Sequence, residues 1–223
     1  MKASKLCSIL ACFLASVAIL ATVIDVCCFN QGFYRREYEK NDTSSYTGMN
    51  AEDNLNATMA LLDYLRETRN DIVVTAEVNG VTREVFNERE TLHMVDVRDL
   101  YQRAVTVRNL CAIVAVILLF GAMYYGRKSL FTVLHDGWIT GVGMVVLLIV
   151  FIAIWALADF NAFWTNFHLL FFDNDLWLLD PRTSIMINLF PGSFFFDLVL
   201  RIIVITLVIF GGISLLSLKG RNA

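Results

Sequence analysis

The sequence predicts an all-α polytopic membrane protein with four transmembrane helices, a small extracytoplasmic subdomain with a helix and a β-hairpin, and an aromatic interfacial or re-entrant segment. The first observation is composition: 57% of the 223 residues are hydrophobic and 17% are charged. Soluble domains average about half apolar and a quarter charged. The other two observations are four long uncharged runs and the unusual content of two segments between them.

Four uncharged runs approach the roughly 20 apolar residues that a helix needs to cross a bilayer. The first run follows Lys2 and Lys5, as in a secretory signal, but its apolar stretch exceeds the roughly 7–15 residues of a signal peptide. We therefore expect an uncleaved membrane anchor. The four runs are Leu6–Ile24, Leu110–Gly126, Gly137–Ala158 and Ile202–Leu218.

Lysine and arginine near the runs predict the orientation, because cytoplasmic loops retain positive charge. Both termini and the connection after the second run carry Lys2, Lys5, Arg127, Lys128, Lys219 and Arg221. We therefore expect both termini in the cytoplasm. The predicted division is transmembrane helix 1 at 1–28, an extracytoplasmic loop subdomain at 29–103, transmembrane helix 2 at 104–126, a cytoplasmic loop at 127–136, transmembrane helix 3 at 137–158, an extracytoplasmic aromatic interfacial segment at 159–197, transmembrane helix 4 at 198–218 and a cytoplasmic tail at 219–223.

The first extracytoplasmic segment has its own pattern. Apolar residues at helical spacing predict an amphipathic helix over residues 52–68. Ile72–Val78 and Val81–Phe86 flank Asn79-Gly80, whose residues both accept the positive φ of a tight hairpin turn. A β-hairpin is therefore expected after the helix.

A second helix is expected to begin at Asn87, with Glu90 three residues later as its capping-box partner. On this helix Glu90, His93 and Asp96 are three residues apart and share one face. This face is either a solvated surface with ordinary charge pairing or part of a chemical site. The sequence of this segment leaves both interpretations open.

The second extracytoplasmic segment is too aromatic for an aqueous loop, and aromatic rings favour the membrane–water boundary. His168 lies in its middle, and Asp173-Asn174-Asp175 interrupts the aromatic pattern. The segment is expected to lie in the outer interface or to dip into the helix bundle. Its aromatic residues include Phe160, Phe163, Trp164, Phe167, Phe171, Phe172, Trp177, Phe190, Phe194, Phe195 and Phe196.

A short helix is expected inside this aromatic segment. Asp180 suits the N-cap and Pro181 the first helical position. Pro191-Gly192 is expected to end that helix.

Each predicted span has one ionisable residue near its outer end: Asp25, Arg108, Asp159 and Arg201. Such side chains often snorkel to the interface or pair with one another. The alternative is a polar pocket at the outer leaflet, beneath His93 and His168. Both interpretations stay open.

The sequence excludes or disfavours two families of membrane protein and several kinds of catalytic or binding site. Cys7, Cys12, Cys27, Cys28 and Cys111 all lie in or at the ends of predicted spans, so the large outer loop lacks the disulfides of claudin-like and tetraspanin-like proteins. The sequence has no G-x-S-x-G elbow, no phosphate-binding glycine loop and no basic aromatic stripe for nucleic acid. Histidine and carboxylate beside lipid remain, which suit acyl transfer with a general base or a metal site.

The two outer segments resemble a known family, the bacterial four-helix membrane proteins that include the lipoprotein intramolecular transacylase Lit. The four-helix plan agrees over the whole chain, whereas residues 30–86 match in general plan alone. The family often has an acidic residue shortly after the Asp-Pro pair, where this chain has Ser184. The matching motifs are Glu90-Thr-Leu-His93-Met94-Val-Asp96-Val97 and Phe167-His168-Leu-Leu-Phe171-Phe172-Asp-Asn174-Asp175-Leu-Trp177-Leu-Leu179-Asp180-Pro181, followed by Phe190-Pro191.

The resemblance implies an acyltransferase of the bacterial plasma membrane that moves the sn-2 acyl chain of a diacylglyceryl lipoprotein to the α-amine of its N-terminal cysteine. The product would be a lyso-form lipoprotein. His168 would be the general base and His93 its partner, without a covalent enzyme intermediate, a cofactor or a metal. The residues expected to bind or orient substrate are Glu90, Asp96, Asn174, Asp175, Trp177, Asp180, Arg108 and Arg201.

Two alternatives belong to other functional classes. The first is a metal-dependent membrane hydrolase that uses Glu90, His93, His168 and Asp175, because Glu-x-x-His places two ligands on one helical face. Tightly bound metal in the purified protein would favour it. The second is a membrane scaffold or accessory protein, which would keep its function after both outer histidines are replaced.

The predicted topology is tested by thiol labelling of a cysteine-free variant on intact cells. Single cysteines introduced as Asn50→Cys and Asn174→Cys should react with an impermeant reagent, whereas Ser129→Cys should not. Labelling of Ser129→Cys alone would reverse the orientation.

Overall fold

The computed structural model describes residues 2–127 and 129–219 and confirms the predicted helical fold class. Lys128 and Arg221, two of the residues used for orientation, lie outside this part, as does the predicted tail after Lys219. The helices and strands are α1 (Lys2–Cys28), α2 (Gln31–Lys40), α3 (Thr43–Thr47), α4 (Ala51–Leu65), β1 (Thr75–Val78), β2 (Val81–Glu84), α5 (Glu88–Gly126), α6 (Leu130–Ala158), α7 (Phe160–Phe171), α8 (Ile185–Leu189) and α9 (Gly192–Lys219).

Within the described residues, four helices are long and apolar enough to cross a membrane: α1, α5, α6 and α9. The chain is therefore a multi-pass membrane protein. Helix α5 has 39 residues, which corresponds to roughly 58 Å at 1.5 Å per residue. A bilayer core is about 30 Å thick. The charged first part of α5, over residues 88–103, consequently lies outside its apolar membrane-spanning part.

The chain divides into two compact units. We call them the span unit (residues 1–26, 104–158 and 199–223, so far as they are described) and the loop unit (27–103 and 159–198). The span unit holds the apolar parts of α1, α5, α6 and α9. The loop unit holds α2 to α4, the hairpin, the first part of α5, and α7 and α8.

Small residues let α6 pack closely on α1 within the span unit. A methyl group added at Gly141 would lie 2.7 Å from the Ile9 carbonyl oxygen and 2.7 Å from the Phe13 backbone nitrogen. Trp138, on the same helix, is buried and donates its indole N–H to the Ser214 hydroxyl over 2.8 Å. This hydrogen bond satisfies the one polar atom of a large buried ring.

The predicted hairpin is present in the loop unit. Strands β1 and β2 pair antiparallel from Thr75 opposite Glu84 to Val78 opposite Val81. The turn residues Asn79 and Gly80 have φ angles of 53° and 80°, so both take the positive φ that the Asn-Gly pair favours. The strands are shorter than the predicted runs.

Two short helices, α2 and α3, were not predicted. The Asn30 side chain caps α2 by accepting from the Phe33 backbone N–H over 2.8 Å. Helix α4 follows the expected helix but ends at Leu65 instead of residue 68. The next residue but one, Glu67, has a φ of 57°, which is incompatible with continued helix.

The predicted start of the short helix in the aromatic segment was wrong. Helix α8 begins at Ile185 with Ser184 as its N-cap, four residues after Asp180. Asp180 instead forms a turn, because its carboxylate accepts from the Arg182 backbone N–H at 2.9 Å. Its carbonyl oxygen also accepts from Thr183 and Ser184. Helix α8 does end before Pro191, as expected, but Gly192 opens α9.

The close packing of α6 on α1 predicts that Gly141→Ala lowers the free energy of unfolding in detergent by about 1–3 kcal/mol, because the added methyl meets backbone that cannot yield. Gly143→Ala is the control, since nothing lies within 4 Å of its added methyl. Equal stability of the two variants would contradict the described packing.

Candidate active site

The two histidines of the outer segments lie together in the loop unit. His93 is on the second turn of α5 and His168 is on α7, and their ring centroids are 6.2 Å apart with planes inclined by 31°. Each residue is 8% exposed. The sequence predicted both as site residues, and the fold brings them together from positions 75 residues apart.

Aromatic rings surround the two imidazoles. Trp177 stacks on His168 at a centroid distance of 4.7 Å, and Trp164 approaches the same ring edge-on at 5.1 Å. Phe172 contacts both histidines, at 5.5 Å from His93 and 5.6 Å from His168. The two imidazoles are therefore enclosed by aromatic rings, an arrangement that we call the chamber, and electrostatic interactions are stronger there than in water.

One hydrogen bond fixes the tautomer of His168. Its Nδ1 lies 2.8 Å from the carbonyl oxygen of Trp164. A carbonyl oxygen can only accept, so Nδ1 carries the proton and Nε2 of the neutral ring keeps its lone pair. Burial lowers the pKa of His168 more than this hydrogen bond raises it. The ring is consequently a neutral base at pH 7.

His93 differs from His168 in its hydrogen bonding. Its Nδ1 is buried and has no hydrogen-bond partner among the described residues. Burial, with a smaller contribution from His168, lowers the pKa of His93 to about 4, against the opposing effect of Asp96. The ring stays neutral at pH 7. A buried polar atom without a partner costs free energy, so this nitrogen is available to a substrate group.

Glu90 is fully buried and joins two parts of the loop unit. One carboxylate oxygen accepts from the Ser184 hydroxyl at 2.6 Å and from the Met186 backbone N–H at 2.7 Å. The other accepts from the Asn87 backbone N–H at 2.6 Å. The Asn87 side chain accepts in return from the Glu90 N–H at 3.0 Å, which completes the predicted capping box. The solvated-face interpretation is therefore wrong for Glu90 and His93.

Residues 172–184, which we call the strap, run between α7 and α8 without regular helix and hold Phe172 and Trp177 against the histidines. Two links at exposed residues join the strap to α5. The Asn174 amide donates to Asp96 over 2.8 Å, and Arg89 pairs with Asp175 at 3.2 Å. Arg89 also donates to the Asp175 carbonyl. The Trp177 indole N–H bonds to the Asn174 carbonyl at 2.9 Å.

The remaining predicted residues have other partners. Asp180 pairs with Arg182 at 2.7 Å on the surface, which lowers the pKa of Asp180 to about 2. Arg108 pairs with Asp25 at 3.1 Å in the span unit, as one of the two interpretations expected. Asp159 caps α7 by accepting from the Ala162 N–H. Arg201 belongs to the span unit. Substrate-binding roles for Asp180, Arg108 and Arg201 stay predictions.

Three contributors to the site were missed at the sequence level. Ser184 follows the turn and precedes the apolar run Ile185–Leu189, which is an N-cap signal that could have been read. Arg89 gave no such signal, because its partner Asp175 is distant in sequence. The Trp164 carbonyl gave none, because a backbone carbonyl is present in every residue. The described residues contain no group of three or more His, Cys, Asp or Glu arranged to hold a metal ion.

Comparison with known proteins points to one family. A family model described as "Lipoprotein intramolecular transacylase Lit" matches residues 9–195 of the chain. No curated protein sequence matches. The structure of membrane-integral Lit from Bacillus cereus is similar with a TM-score of 0.76 at 18% identity, over 98% of this chain and 97% of that one.

Two further structures of the Bacillus cereus protein carry a single histidine substitution. The histidine-to-arginine variant matches with a TM-score of 0.76 at 18% identity, over 98% of this chain and 92% of that one. The histidine-to-alanine variant matches with a TM-score of 0.71 at 19% identity, over 99% and 96%. At 18–19% sequence identity, this structural similarity establishes that the chain shares the fold of these structures.

The buried carboxylate of Glu90 predicts that Glu90→Gln is destabilised by about 3 kcal/mol, because glutamine keeps one accepting oxygen and places a donating N–H₂ where the other accepts, which leaves buried donors unpaired. Thermal unfolding in detergent would measure this. The control is Glu88→Gln, which replaces an exposed acid two residues earlier on α5 and should unfold like the unchanged protein. Equal stability of both variants would show that Glu90 is not a structural tie.

Proposed function

We propose that His168 is the general base and that His93 stabilises the oxyanion in this chain, which belongs to the lipoprotein intramolecular transacylase (Lit) family. The family model covers well over half of the chain, so the chain is an intramolecular transacylase that acts on lipoprotein in the membrane. The roles of individual residues are our proposal. The observation that carries it is the hydrogen bond from His168 Nδ1 to the Trp164 carbonyl.

The proposed reaction transfers the sn-2 acyl chain of a diacylglyceryl lipoprotein to the α-amine of its N-terminal cysteine. The amine nitrogen attacks the ester carbonyl carbon, and the amine proton passes to Nε2 of His168. The tetrahedral intermediate then collapses, the bond to the sn-2 oxygen breaks, and the imidazolium returns its proton to that oxygen. An amide and a free hydroxyl result, without a protein nucleophile or water.

His168 suits the base role because its free lone pair is fixed on one atom. The bond to Trp164 holds Nδ1–H in place and restricts rotation of the ring, so the lone pair stays on Nε2. The lowered pKa keeps the base unprotonated at neutral pH. An α-amine, with a pKa of roughly 7.7–8.0, attacks in its neutral form. Its nitrogen becomes positively charged on attack, so a neutral acceptor has to take the proton.

His93 suits the complementary role because it stays neutral while its neighbour changes charge. The positive charge that develops on His168 further disfavours protonation of His93, whose pKa is already about 4. A neutral imidazole can still donate one N–H to the developing oxyanion. This role is supported by Nδ1 of His93, which is buried without a hydrogen-bond partner among the described residues and is therefore available to a substrate group.

Donor and acceptor belong to one substrate molecule, so positioning supplies much of the rate through high effective molarity. The chamber has to hold the ester and the amine in register, and its walls are the rings of Phe172, Trp164 and Trp177. Aromatic rings of this kind also suit the membrane–water boundary at which a lipoprotein presents its lipid end.

We further propose that substrate enters by displacing the strap. Both histidines are almost fully covered, and Trp177 lies flat on His168. The links at Asp96–Asn174 and Arg89–Asp175 involve exposed side chains, and exposed pairs of this kind contribute at most about 1 kcal/mol each. The anchor at Glu90 is buried. The strap can therefore open at its outer links while Ser184 stays fixed.

The protein is multi-pass, and we propose that both termini are cytoplasmic and that the loop unit faces outward from the bacterial plasma membrane. The charge of the described Lys5 and Arg127 supports this orientation. This orientation requires a substrate whose N-terminal lipid lies in the outer leaflet, so that the ester and the chamber are on the same side of the membrane.

The two histidines should respond differently to glutamine. His168→Gln should abolish lyso-form product, because an amide cannot accept the amine proton; the loss of a general base typically removes about 10²–10⁴ in rate. His93→Gln should retain part of the activity, because its amide still donates a hydrogen bond. The measurement is mass spectrometry of lipoprotein N-termini from cells with matched expression.

His135→Ala is the control, since His135 lies on α6 in the span unit. It should leave product formation unchanged. Near-normal product from His168→Gln would overturn the assignment of His168 as the base. Loss of activity on metal chelation, with recovery on adding zinc, would favour the metal-dependent hydrolase instead.

A further inference from the structure

A concave site lies within the span unit. A cleft of about 350 Å³ opens between α1, α5 and α9. This volume lies at the lower end of the roughly 300–1,000 Å³ typical of ligand pockets. The residues that matter to its chemistry are Ala18, Thr22, Val23, Arg108, Ala112 and Ile209.

The walls of the cleft are mostly apolar. Ala18, Val23, Ala112 and Ile209 present hydrocarbon. Thr22 uses its hydroxyl proton within its own helix, donating to the Ala18 carbonyl at 2.8 Å. A groove of this composition inside a membrane-spanning unit fits a hydrocarbon chain better than a polar ligand.

One end of the cleft is polar but electrically balanced. Arg108 pairs with Asp25 over 3.1 Å, and the two side chains are 23% and 20% exposed. The Arg108 Nε also donates to the Asn109 side-chain oxygen at 3.2 Å. The guanidinium is a multiple hydrogen-bond donor, but the neighbouring carboxylate cancels its charge. An uncharged acceptor such as an ester carbonyl therefore fits this end, whereas a phosphate would meet the Asp25 carboxylate.

We propose that this cleft binds one acyl chain of a diacylglyceryl group, with an ester carbonyl of that group at Arg108. The identity of the ligand rests on the proposed function, since a diacylglyceryl group is the lipid part of its substrate. Neither the apolar walls nor the Asp25–Arg108 pair takes part in the proton transfer assigned to the histidines. The cleft is a lipid-binding site of the span unit.

Photo-cross-linking of the full-length purified protein tests the proposal. The probes are a diacylglycerol and a phosphatidylglycerol that carry the same diazirine acyl chain, and labelled peptides are identified by mass spectrometry. The diacylglycerol should label the peptides around residues 18–23 and 108–112 at least threefold more strongly than the phosphatidylglycerol. Ala112→Trp should reduce this labelling at least fivefold by filling the cleft.

Val116→Trp is the matched control, because Val116 is 50% exposed on the same helix and does not line the cleft. It should label like the unchanged protein. Asp25→Asn removes the balancing charge and should shift the preference toward the anionic phosphatidylglycerol. Elution as a single monodisperse species identifies variants that fold.

Two results would overturn the proposal. Equal labelling by both probes, insensitive to Ala112→Trp, would mean contact with bulk lipid only. A preference for phosphatidylglycerol in the unchanged protein would assign the cleft to an anionic phospholipid. Labelling does not require turnover, so an inactive protein that still labels as expected would refute the transacylase chemistry while supporting the cleft.

Discussion

The buried carboxylate of Glu90 is the interaction on which the candidate site depends. It accepts from the backbone at the start of α5 and from Ser184 and Met186 at the start of α8. His93 is one turn further along α5, so the same carboxylate that closes the helix cap also fixes where this imidazole lies relative to the end of the strap. Removing a partner from such a buried charge is far more costly than losing an exposed pair.

Burial and one hydrogen bond give the two imidazoles different capacities. Both are nearly covered by aromatic rings, and burial keeps both neutral at pH 7. Nδ1 of His168 donates to a backbone carbonyl, and Nε2 can accept a proton. Nδ1 of His93 has no hydrogen-bond partner among the described residues. Two copies of one side chain can thus serve as acceptor and donor because their surroundings differ.

Much of the local structure followed from sequence because it depends on near neighbours. Asn79-Gly80 predicted the turn, and Asn87 with Glu90 predicted the cap. The long apolar runs predicted four helices of spanning length. The contribution of Ser184 was missed because Asp180-Pro181 is the stronger local signal for a helix start. The Arg182 side chain and backbone N–H bind Asp180 instead, so a competing local turn, not a tertiary contact, replaced the expected helix start.

The proposed proton transfer requires His168 to be a neutral base with its proton on Nδ1. Nitrogen NMR of the protein with ¹⁵N-labelled histidine, assigned with His168→Gln, measures this directly in detergent micelles. We expect the Nδ1–H tautomer at pH 7, with protonation of Nε2 occurring below the ordinary histidine pKa of about 6.5. An Nε2–H tautomer, or an imidazolium at pH 7, would contradict it.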